Sequence, residues 1–274
     1  MNITGKTKLC IIIGDPVEHS LSPAMHNAAY VALGIDHEFV FVASRVALKD
    51  VKDVIRAMRV MGFRGLTCTV PHKIEVMKYL DKIDPIAQKI GAVNTVVNEN
   101  GILTGYNTDW LGTVIPLEKH GTLKNKKVAL IGAGGAARAC GYGVIEKGAT
   151  LTIFNRTVEK AERLAEEFGK NVGTGRDLSL LHEYDIILNA TSIGMGNHEG
   201  VSPVPKSSIQ KNQIVFDAVY SPFETQLLKD AKEQGATIIH GTEMLLHQGT
   251  EQFRLYTGHE APESVMRKVL EKAL

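Results

Sequence analysis

A short apolar run that ends in a cluster of glycines constrains the fold of this chain more than any other feature. Val128–Ile131 predicts a buried strand, and the sequence from Ala136 onward predicts a helix. Between them, Gly132 and Gly134, with Ala137 in the third place, fit the G-x-G-x-x-G/A pattern. Such a turn lets the backbone approach a pyrophosphate, and the helix N-terminus supplies N–H donors. The pattern favours a dinucleotide site over an ordinary glycine turn, which remains the alternative.

Composition excludes several other classes of protein. The 274 residues are 44% hydrophobic and 22% charged, with a net charge of +1, which is typical of a globular chain with ample core. Because Lys and Arg are dispersed, we expect no nucleic-acid partner. We also expect no membrane partner, since no apolar run approaches a span and no leader is evident. Three cysteines without metal-ligand spacing predict a cytoplasmic protein with no metal.

Strands alternate with helices along the chain, which predicts an α/β fold with mostly parallel sheets. A hairpin is predicted around Glu99–Gly101, and a new strand–helix series begins at Lys127. We therefore expect two domains with a cleft between them. Residues 1–107, completed by C-terminal helices over 243–274, form the substrate domain, and residues 108–242 form a Rossmann-like dinucleotide-binding domain.

The end of the second strand of that series predicts the choice of cofactor. An NAD site usually has Asp or Glu there, about 20 residues beyond the glycine turn, to bond the ribose 2′-hydroxyl. This chain has Asn155, Arg156 and Thr157 instead, with no acid. A guanidinium can bind a 2′-phosphate through several N–H donors, so the segment favours NADP. The alternative is a capping Asn155 or Thr157 beside a solvated Arg156, and both readings are compatible.

Two polar groups follow strands in the first half of the chain. Ser20 and Ser22 precede a predicted helix and could bind a carboxylate, although Ser22 as a plain N-cap before Pro23 is the interpretation that the local sequence favours. Lys73 lies in a predicted helix after the third strand and could donate or accept a proton if a carboxylate positions it. A solvated helix lysine is the favoured alternative. His72 is left unassigned.

Further polar residues lie at the ends of other predicted elements. Asn94 and Asp109 flank the predicted hairpin and could bond the hydroxyls of a polyol, or serve only as turn and capping residues. Tyr220 follows a strand, and Gln248 lies on a helix among apolar residues. Gln248 either faces a cleft or lies on the solvent side of its helix.

Taken in order, these patterns resemble the shikimate dehydrogenase family over nearly the whole chain, from Ser20 to Gln248. The resemblance implies reversible, NADP-dependent reduction of 3-dehydroshikimate to shikimate, in chorismate and aromatic amino-acid biosynthesis. It implies a small-molecule substrate and a monomer or homodimer. The alternatives are a quinate/shikimate dehydrogenase of broader substrate or cofactor use, and a non-catalytic dinucleotide-binding sensor on the same fold.

The resemblance also implies roles for individual residues. Lys73 and Asp109 are the catalytic pair, and Ser20 and Ser22 bind the substrate carboxylate. The other substrate contacts that it implies are Thr67, Thr69, Asn94, Tyr220 and Gln248. The NADP contacts that it implies are Gly132, Ala133, Gly134, Gly135, Ala136, Asn155, Arg156, Thr157, Ala190, Thr191, Ser192, Ala218 and Gly241.

The chain departs from the family at one position. The family usually has Asn-Val-Thr before its Pro-x-Lys, whereas this chain has Thr67, Cys68 and Thr69. A hydroxyl at residue 67 is shorter than an amide and offers one donor instead of two. The choice among shikimate, quinate and an amino analogue therefore stays open at this point.

Overall fold

The structure, a computed structural model, describes residues 3–169 and 171–273. It divides into unit 1, which is Met1–Thr108 with Gln248–Ala273, and unit 2, which is Asp109–His247. The predicted α/β class with mostly parallel sheets is confirmed. The sequence predicts that the chain rejoins the first domain at residue 243. In the structure, unit 1 resumes at Gln248, inside the helix Gly241–Thr257. Leu274, the end of that predicted return, lies outside the described residues.

The helices are numbered along the whole chain. They are α1 (Ser22–Ala32), α2 (Val51–Met61), α3 (Pro85–Ile90), α4 (Asp109–Glu118), α5 (Gly135–Glu146), α6 (Val158–Phe168), α7 (Gln226–Glu233), α8 (Gly241–Thr257) and α9 (Glu263–Ala273).

Unit 1 is built on a mixed sheet. Its strands are β1 (Lys8–Gly14), β2 (Phe39–Arg45), β3 (Gly65–Cys68), β4 (Lys82–Ile83), β5 (Thr95–Glu99) and β6 (Ile102–Tyr106), in the order β2-β1-β3-β5-β6-β4. Strand β1 is parallel to β2 and β3, whereas β5 is antiparallel to β3 and β6. The ends of β1, β3 and β6 and the start of β5 therefore lie at one edge, which we call the unit 1 edge.

The predicted hairpin between β5 and β6 is confirmed. Asn100 and Gly101 have φ values of 54° and 87°, both in the left-handed region that a two-residue hairpin turn of the favoured type requires. This turn sets the register of the two strands, pairing Glu99 with Ile102 and Thr95 with Tyr106. It thereby places the residues that flank the hairpin, Asn94 and Asn107, at the unit 1 edge.

The sheet of unit 1 is buried on both faces. On one face, Leu66 and Val96 pack against Ile55 and Met58 of α2. The other face is aromatic, with the His26 and Phe41 rings stacked at 4.4 Å and the Tyr30 and Phe253 rings 5.3 Å apart. Aromatic pairs of this kind add about 1 kcal/mol each to the free energy gained by burial. Residues of α8 thus complete a core that begins with α1 and β2.

Unit 2 is built on a parallel sheet. Its strands are β7 (Lys127–Ile131), β8 (Thr150–Phe154), β9 (Val172–Gly175), β10 (Ile186–Asn189), β11 (Ile214–Asp217) and β12 (Thr237–Ile239), in the order β12-β11-β10-β7-β8-β9. Every pair is parallel. This is the doubly wound order of dinucleotide-binding domains, with its reversal between β7 and β10, and ligands bind there at the carboxyl ends of the strands.

Candidate active site

The loops after β1 and β3 are tied together at the unit 1 edge. The Asp15 amide donates to the Val70 carbonyl at 3.0 Å, and the Thr69 amide donates to the Ile13 carbonyl at 2.9 Å. The next segment along the sheet joins them, because the Val93 amide donates to the Lys73 carbonyl at 2.8 Å. The structure therefore brings the segments of Ser20, Thr69, Lys73 and Asn94 to one place, although they are far apart in sequence.

Helix α1 begins differently from our prediction. Ser22 is the first residue of the helix, Leu21 is the N-cap, and no side chain makes a capping bond, so the prediction of Ser22 as N-cap is wrong. The Ser20 hydroxyl instead accepts from the Ser22 amide at 3.3 Å. Pro23 does lie in the first turn, as expected. The Ser20 and Ser22 hydroxyls are therefore next to the N-terminus of an 11-residue helix, a favourable place for an anion.

Lys73 does not lie in a helix. We predicted a helix from Pro71, but residues 70–74 form turns, and a short 3₁₀ helix follows only at Glu75–Tyr79. The reason is tertiary, since the Lys73 carbonyl accepts from Val93 on the neighbouring segment. This bond fixes the half-buried Lys73 next to Asn94 instead of on a solvated helix face.

Asn94 is the most connected polar residue of the unit 1 edge. It is 1% exposed, its side-chain oxygen accepts from the Thr108 amide at 2.9 Å, and its Nδ2 donates to the Thr108 hydroxyl at 2.9 Å. The Gln248 Oε1 lies 3.5 Å from the same Nδ2. Of the two interpretations left open, Gln248 does not lie on the solvent side of its helix, since it is buried against Asn94.

Thr67 lies deeper in unit 1. It is 4% exposed, and its hydroxyl is 2.8 Å from the Tyr256 hydroxyl and 3.4 Å from the Gln252 Oε1. The Tyr256 ring also fills the space in front of Gly65, where a Cβ would lie 2.6 Å from ring carbons. Residue 65 must therefore be glycine for Tyr256 to reach Thr67.

Asp109 and Tyr220 belong to unit 2. Asp109 is the first residue of α4 and is 4% exposed, and its carbonyl accepts from the Thr113 hydroxyl at 3.2 Å. Tyr220 is half-buried and follows β11 by three residues of loop. Their predicted contacts with substrate remain predictions.

The glycine turn of unit 2 has the geometry that a dinucleotide site needs. Gly132 has φ of 120°, and a Cβ there would lie 3.0 Å from the Ala190 carbonyl oxygen. Gly134 is the N-cap of α5, and the first turn of this helix contains no acidic residue. Only glycine fits at residue 132, so the turn packs against the loop after β10 and leaves the N-terminus of α5 at the switch point of the sheet.

The segment after β8 is a short loop with an exposed arginine. The Asn155 side-chain Nδ2 donates to the Thr157 carbonyl at 2.7 Å, which holds a tight loop, and Arg156 is exposed. Thr157 is the N-cap of α6 but makes no side-chain capping bond. Thr157 therefore lies at the capping position, as the alternative predicted, but its hydroxyl does not cap the helix.

Asp217, at the end of β11, is a buried carboxylate to which the sequence assigns no role. Asp217 is 0% exposed and accepts from the Thr225 hydroxyl at 2.6 Å, the Asn189 Nδ2 at 2.9 Å and the Val219 amide at 3.0 Å. Burial nevertheless raises the pKa of Asp217 to about 6. Asn189 in turn accepts from the Thr191 amide and hydroxyl. We call these five residues the Asp217 network.

The Asp217 network holds two loops that we predicted to contact NADP. Thr191 belongs to the loop after β10, with Ala190 and Ser192, and Val219 follows Ala218 in the loop after β11. Gly241, at the start of α8, lies directly against the Val219 carbonyl with no room for a Cβ. These segments are therefore fixed by protein contacts before any cofactor binds.

Two kinds of feature are absent from the described parts of the chain. No group of three or more His, Cys, Asp or Glu side chains there could hold a metal ion. Within residues 3–169 and 171–273, no helix has the length and apolar character that crossing a bilayer requires.

Unit 2 has the strand order and glycine turn of a Rossmann-type dinucleotide-binding domain. Together with a unit that gathers hydroxyls, an amide and a lysine at one sheet edge, it defines the class of two-domain nicotinamide-dependent oxidoreductases.

Comparisons with known proteins identify the family within this class. Three family models match: the shikimate dehydrogenase substrate binding domain over residues 12–96, the shikimate / quinate 5-dehydrogenase over 115–218, and the shikimate 5'-dehydrogenase C-terminal domain over 241–271. The chain therefore belongs to the shikimate dehydrogenase family, as the resemblance implied.

Individual relatives match over nearly their whole length. A shikimate dehydrogenase (NADP(+)) of Dehalococcoides mccartyi is 45% identical over 96% of this chain and 95% of its own. A crystal structure of a shikimate dehydrogenase in complex with NADP+ superposes with a TM-score of 0.92 at 42% identity, covering 98% of this chain and 96% of that one. The Thermus thermophilus enzyme with NADP(H) and shikimate has a TM-score of 0.90 at 36% identity, covering 98% and 100%.

Proposed function

We propose that the protein is an NADP-dependent shikimate dehydrogenase that interconverts 3-dehydroshikimate and shikimate in chorismate and aromatic amino-acid biosynthesis. The observation that carries this proposal is the unit 1 edge, where Ser20, Ser22, Lys73 and Asn94 come together on a chain that also contains an NADP-type unit 2. The names of the relatives and the ligands in their structures support the same assignment.

Unit 1 supplies groups of the right chemistry for this substrate. Ser20 and Ser22 donate to the substrate carboxylate, and the N-terminus of α1 favours the same negative charge. Asn94 and Asp109 bond the ring hydroxyls, and Thr67 and Thr69 are further substrate contacts. Tyr220 and Gln248 close the substrate site.

Lys73 and Asp109 are the proposed catalytic pair. In the oxidation of shikimate, the Lys73 amine takes the proton of the hydroxyl that becomes a carbonyl, and in the reverse reaction its ammonium returns that proton. The Asp109 carboxylate orients the Lys73 side chain. NADP, when bound, accepts the hydride from the ring carbon that bears this hydroxyl, and NADPH returns it.

The residues of unit 2 fit this cofactor. Residues Gly132–Ala136 and the N-terminus of α5 hold the pyrophosphate, and Arg156, between Asn155 and Thr157, binds the 2′-phosphate. The loops of Ala190–Ser192 and Ala218, with Gly241, line the rest of the nicotinamide nucleotide.

Two finer statements belong to the same proposal. The protein acts in the cytoplasm as a monomer or homodimer, and the cytoplasmic placement is supported by Cys10, Cys68 and Cys140, which are all buried and form no disulfide among the described residues. A broader quinate/shikimate dehydrogenase is the second candidate, because Thr67 departs from the family pattern.

Steady-state rates with shikimate and quinate, each with NADP and NAD, test the proposal. We expect the highest kcat/KM with shikimate and NADP. A preference for quinate or NAD supports the second candidate, and intact NADP binding without turnover of either substrate supports the dinucleotide-binding sensor.

The Lys73→Ala variant tests the catalytic assignment. We expect kcat to fall by about 10²–10⁴-fold, the range for loss of a general acid–base group, with NADP affinity unchanged. The control is Lys78→Ala, because Lys78 is a nearby lysine that is 63% exposed and pairs only with Glu75 in this segment. Wild-type kcat in Lys73→Ala would contradict the assignment.

A further inference from the structure

Three hydrogen-bond donors converge on the buried carboxylate of Asp217. Its Oδ1 accepts from the Asn189 Nδ2 at 2.9 Å and from the Val219 amide at 3.0 Å, and its Oδ2 accepts from the Thr225 hydroxyl at 2.6 Å. The Val219 amide can only donate. Asn189 is fixed in the same sense, because its side-chain oxygen faces the Thr191 amide at 3.0 Å and its Nδ2 therefore faces Asp217. Residue 217 must consequently present an acceptor to both.

The third donor requires a second acceptor on residue 217. The Thr225 hydroxyl caps α7 and accepts from the Leu228 amide at 3.3 Å, so its own proton is directed to Asp217. A carboxylate has acceptors at both ends, whereas an asparagine of the same shape has an acceptor at one end only. With its oxygen toward Val219 and Asn189, the NH₂ group of that asparagine would meet Thr225. Bonds to the neutral oxygen would also be about half as strong as bonds to a carboxylate.

From Asp217, these bonds reach the segments that we predicted to contact NADP. The side-chain oxygen of Asn189 accepts from the Thr191 hydroxyl at 2.7 Å, and that hydroxyl accepts from the Ile193 amide at 3.1 Å. The Thr191 methyl group lies against the glycine turn, where a Cβ at Gly132 would be 3.1 Å from it. The loop after β10 and the glycine turn are thus connected to the carboxylate through Asn189, and the loop after β11 is held by it directly.

We infer that Asp217 is a positioning residue for NADP: through Asn189 and Val219, its carboxylate holds residues 190–193 and 218–219 in the conformation that receives the cofactor. A side chain that is 0% exposed acts through these neighbours and not by its own contact with the cofactor. The inference rests on the proposed function in one respect, the contact of these two loops with NADP.

The carboxylate holds the loops at a cost to the stability of the fold. Burial raises the pKa of Asp217 to about 6 despite the three donors, so its ionisation at neutral pH lowers the free energy of unfolding. An uncharged residue of the same shape removes this cost and weakens the bonds to the loops. A positioning role therefore predicts that Asp217→Asn lowers the affinity for NADP without lowering stability, whereas a purely structural role predicts that the two fall together.

The first experiment tests the positioning without any cofactor. Hydrogen exchange of the Val219 and Ile193 amides is measured by NMR at pH 7.5 in the wild type and in Asp217→Asn. We expect both amides to exchange about three- to ten-fold faster in the variant, the effect of losing about one hydrogen bond. The matched control is Asp185→Asn, which should leave both rates unchanged. The Asp185 carboxylate accepts from the Lys127 amide at 2.8 Å, but at the opposite end of β10.

The second experiment compares the affinity for NADP with stability. Calorimetry without substrate gives the Kd for NADP, and urea unfolding gives the free energy of unfolding, both at pH 7.5. In Asp217→Asn, we expect the Kd for NADP to rise about three- to ten-fold, while the free energy of unfolding does not fall below that of the wild type. In Asp185→Asn, the Kd for NADP should keep its wild-type value.

The outcomes separate the inference from the proposed function. An unchanged Kd for NADP in Asp217→Asn overturns the inference. A Kd that rises together with a fall in the free energy of unfolding also overturns it, and so does a variant that does not fold. Wild-type exchange at Ile193 in Asp217→Asn overturns the step through Asn189. A wild type that does not bind NADP overturns the proposed function alone, since the exchange result needs no cofactor.

Discussion

His26 in unit 1 and Asp217 in unit 2 are both fully buried ionisable side chains, but their surroundings differ. The His26 ring stacks on Phe41 at 4.4 Å, and the Gln252 side chain only weakly opposes the effect of burial on its pKa. Asp217 accepts from three donors. Burial lowers the pKa of His26 to about 3, and it raises the pKa of Asp217 to about 6 despite these donors.

The contributions of these two buried groups to stability therefore change with pH in opposite directions. The pKa of His26 falls below its ordinary 6.5, so its contribution to stability is present above pH 6.5 and is lost as pH falls toward 3. The pKa of Asp217 rises above its ordinary 3.8, so its contribution is present below pH 3.8 and is lost as pH rises through about 6. Acid therefore removes the contribution of His26 to stability and restores that of Asp217.

The largest expected effect is that of His26→Leu. One pKa unit corresponds to about 1.4 kcal/mol, so protonation of unfolded His26 costs the wild type about 3 kcal/mol at pH 4.5. Leucine does not titrate, so the variant does not have this cost. As pH falls from 7 to 4.5, we therefore expect the free energy of unfolding of the variant to rise by about 3 kcal/mol relative to that of the wild type. Urea unfolding at both pH values, with hydrogen exchange of α1 as the probe of unit 1, measures it.

The comparison with wild type isolates His26 from its neighbours. Burial also lowers the pKa of His72 in unit 1, and His72 is present in both proteins. A stability difference between wild type and His26→Leu that is the same at pH 7 and pH 4.5 would contradict the assignment.

The second effect is that of Asp217→Asn, and its sign is opposite. An amide keeps one oxygen for Val219 and Asn189 and does not titrate. Relative to this variant, the wild type should lose up to about 3 kcal/mol of stability as pH rises from 4 to 7. Trp110, the only tryptophan of the chain, lies in unit 2 and reports its unfolding by fluorescence. A wild-type advantage that grows with pH would show that the carboxylate is stabilised in its charged form.

The smallest effect is that of Thr225→Val. The Thr225 hydroxyl donates to Asp217 at 2.6 Å, and bonds to charged groups contribute about 2 kcal/mol, against about 1 kcal/mol for neutral ones. We therefore expect a loss of about 2 kcal/mol at pH 7.5 that shrinks below pH 5, where Asp217 is neutral. Thr257→Val in unit 1, whose hydroxyl bonds a backbone carbonyl, should lose less and show no pH dependence. If Thr225→Val loses the same free energy of unfolding at pH 7.5 and below pH 5, the charge of Asp217 does not strengthen this hydrogen bond.

Local patterns predicted the parts of the fold that local chemistry determines. The strand, glycine turn and helix around Gly132 follow from residues that are adjacent in sequence, and so does the hairpin at Asn100 and Gly101. Where a tertiary contact decided the outcome, prediction failed. Lys73 was expected in a helix, but the Val93 amide takes its carbonyl.

The sequence predicted which residues belong to the candidate site, but not the hydrogen bonds that connect them. Ser20, Lys73 and Asn94 stand in recognisable patterns, whereas nothing near Thr67 in sequence indicates that its partners are on α8. A signal was available for Gln252, because it lies four residues after Gln248 and so on the same helix face. No comparable signal indicates the burial of Asp217, because its donor Asn189 lies 28 residues away along the chain.

The split of unit 1 across the sequence has a consequence for synthesis on the ribosome. Unit 1 starts first, but its core and the hydrogen bonds of Thr67 need residues 248–273, whereas unit 2 is continuous from Asp109 to His247. Chains emerge at about 5–20 residues per second, and domains generally fold as units. Unit 2 can therefore fold while unit 1, which began earlier, still lacks Gln252, Phe253 and Tyr256. For several seconds of each round of translation, the sheet that holds Lys73 and Asn94 has one aromatic face without its covering helix, and it is during this interval that the nascent chain has most need of a chaperone.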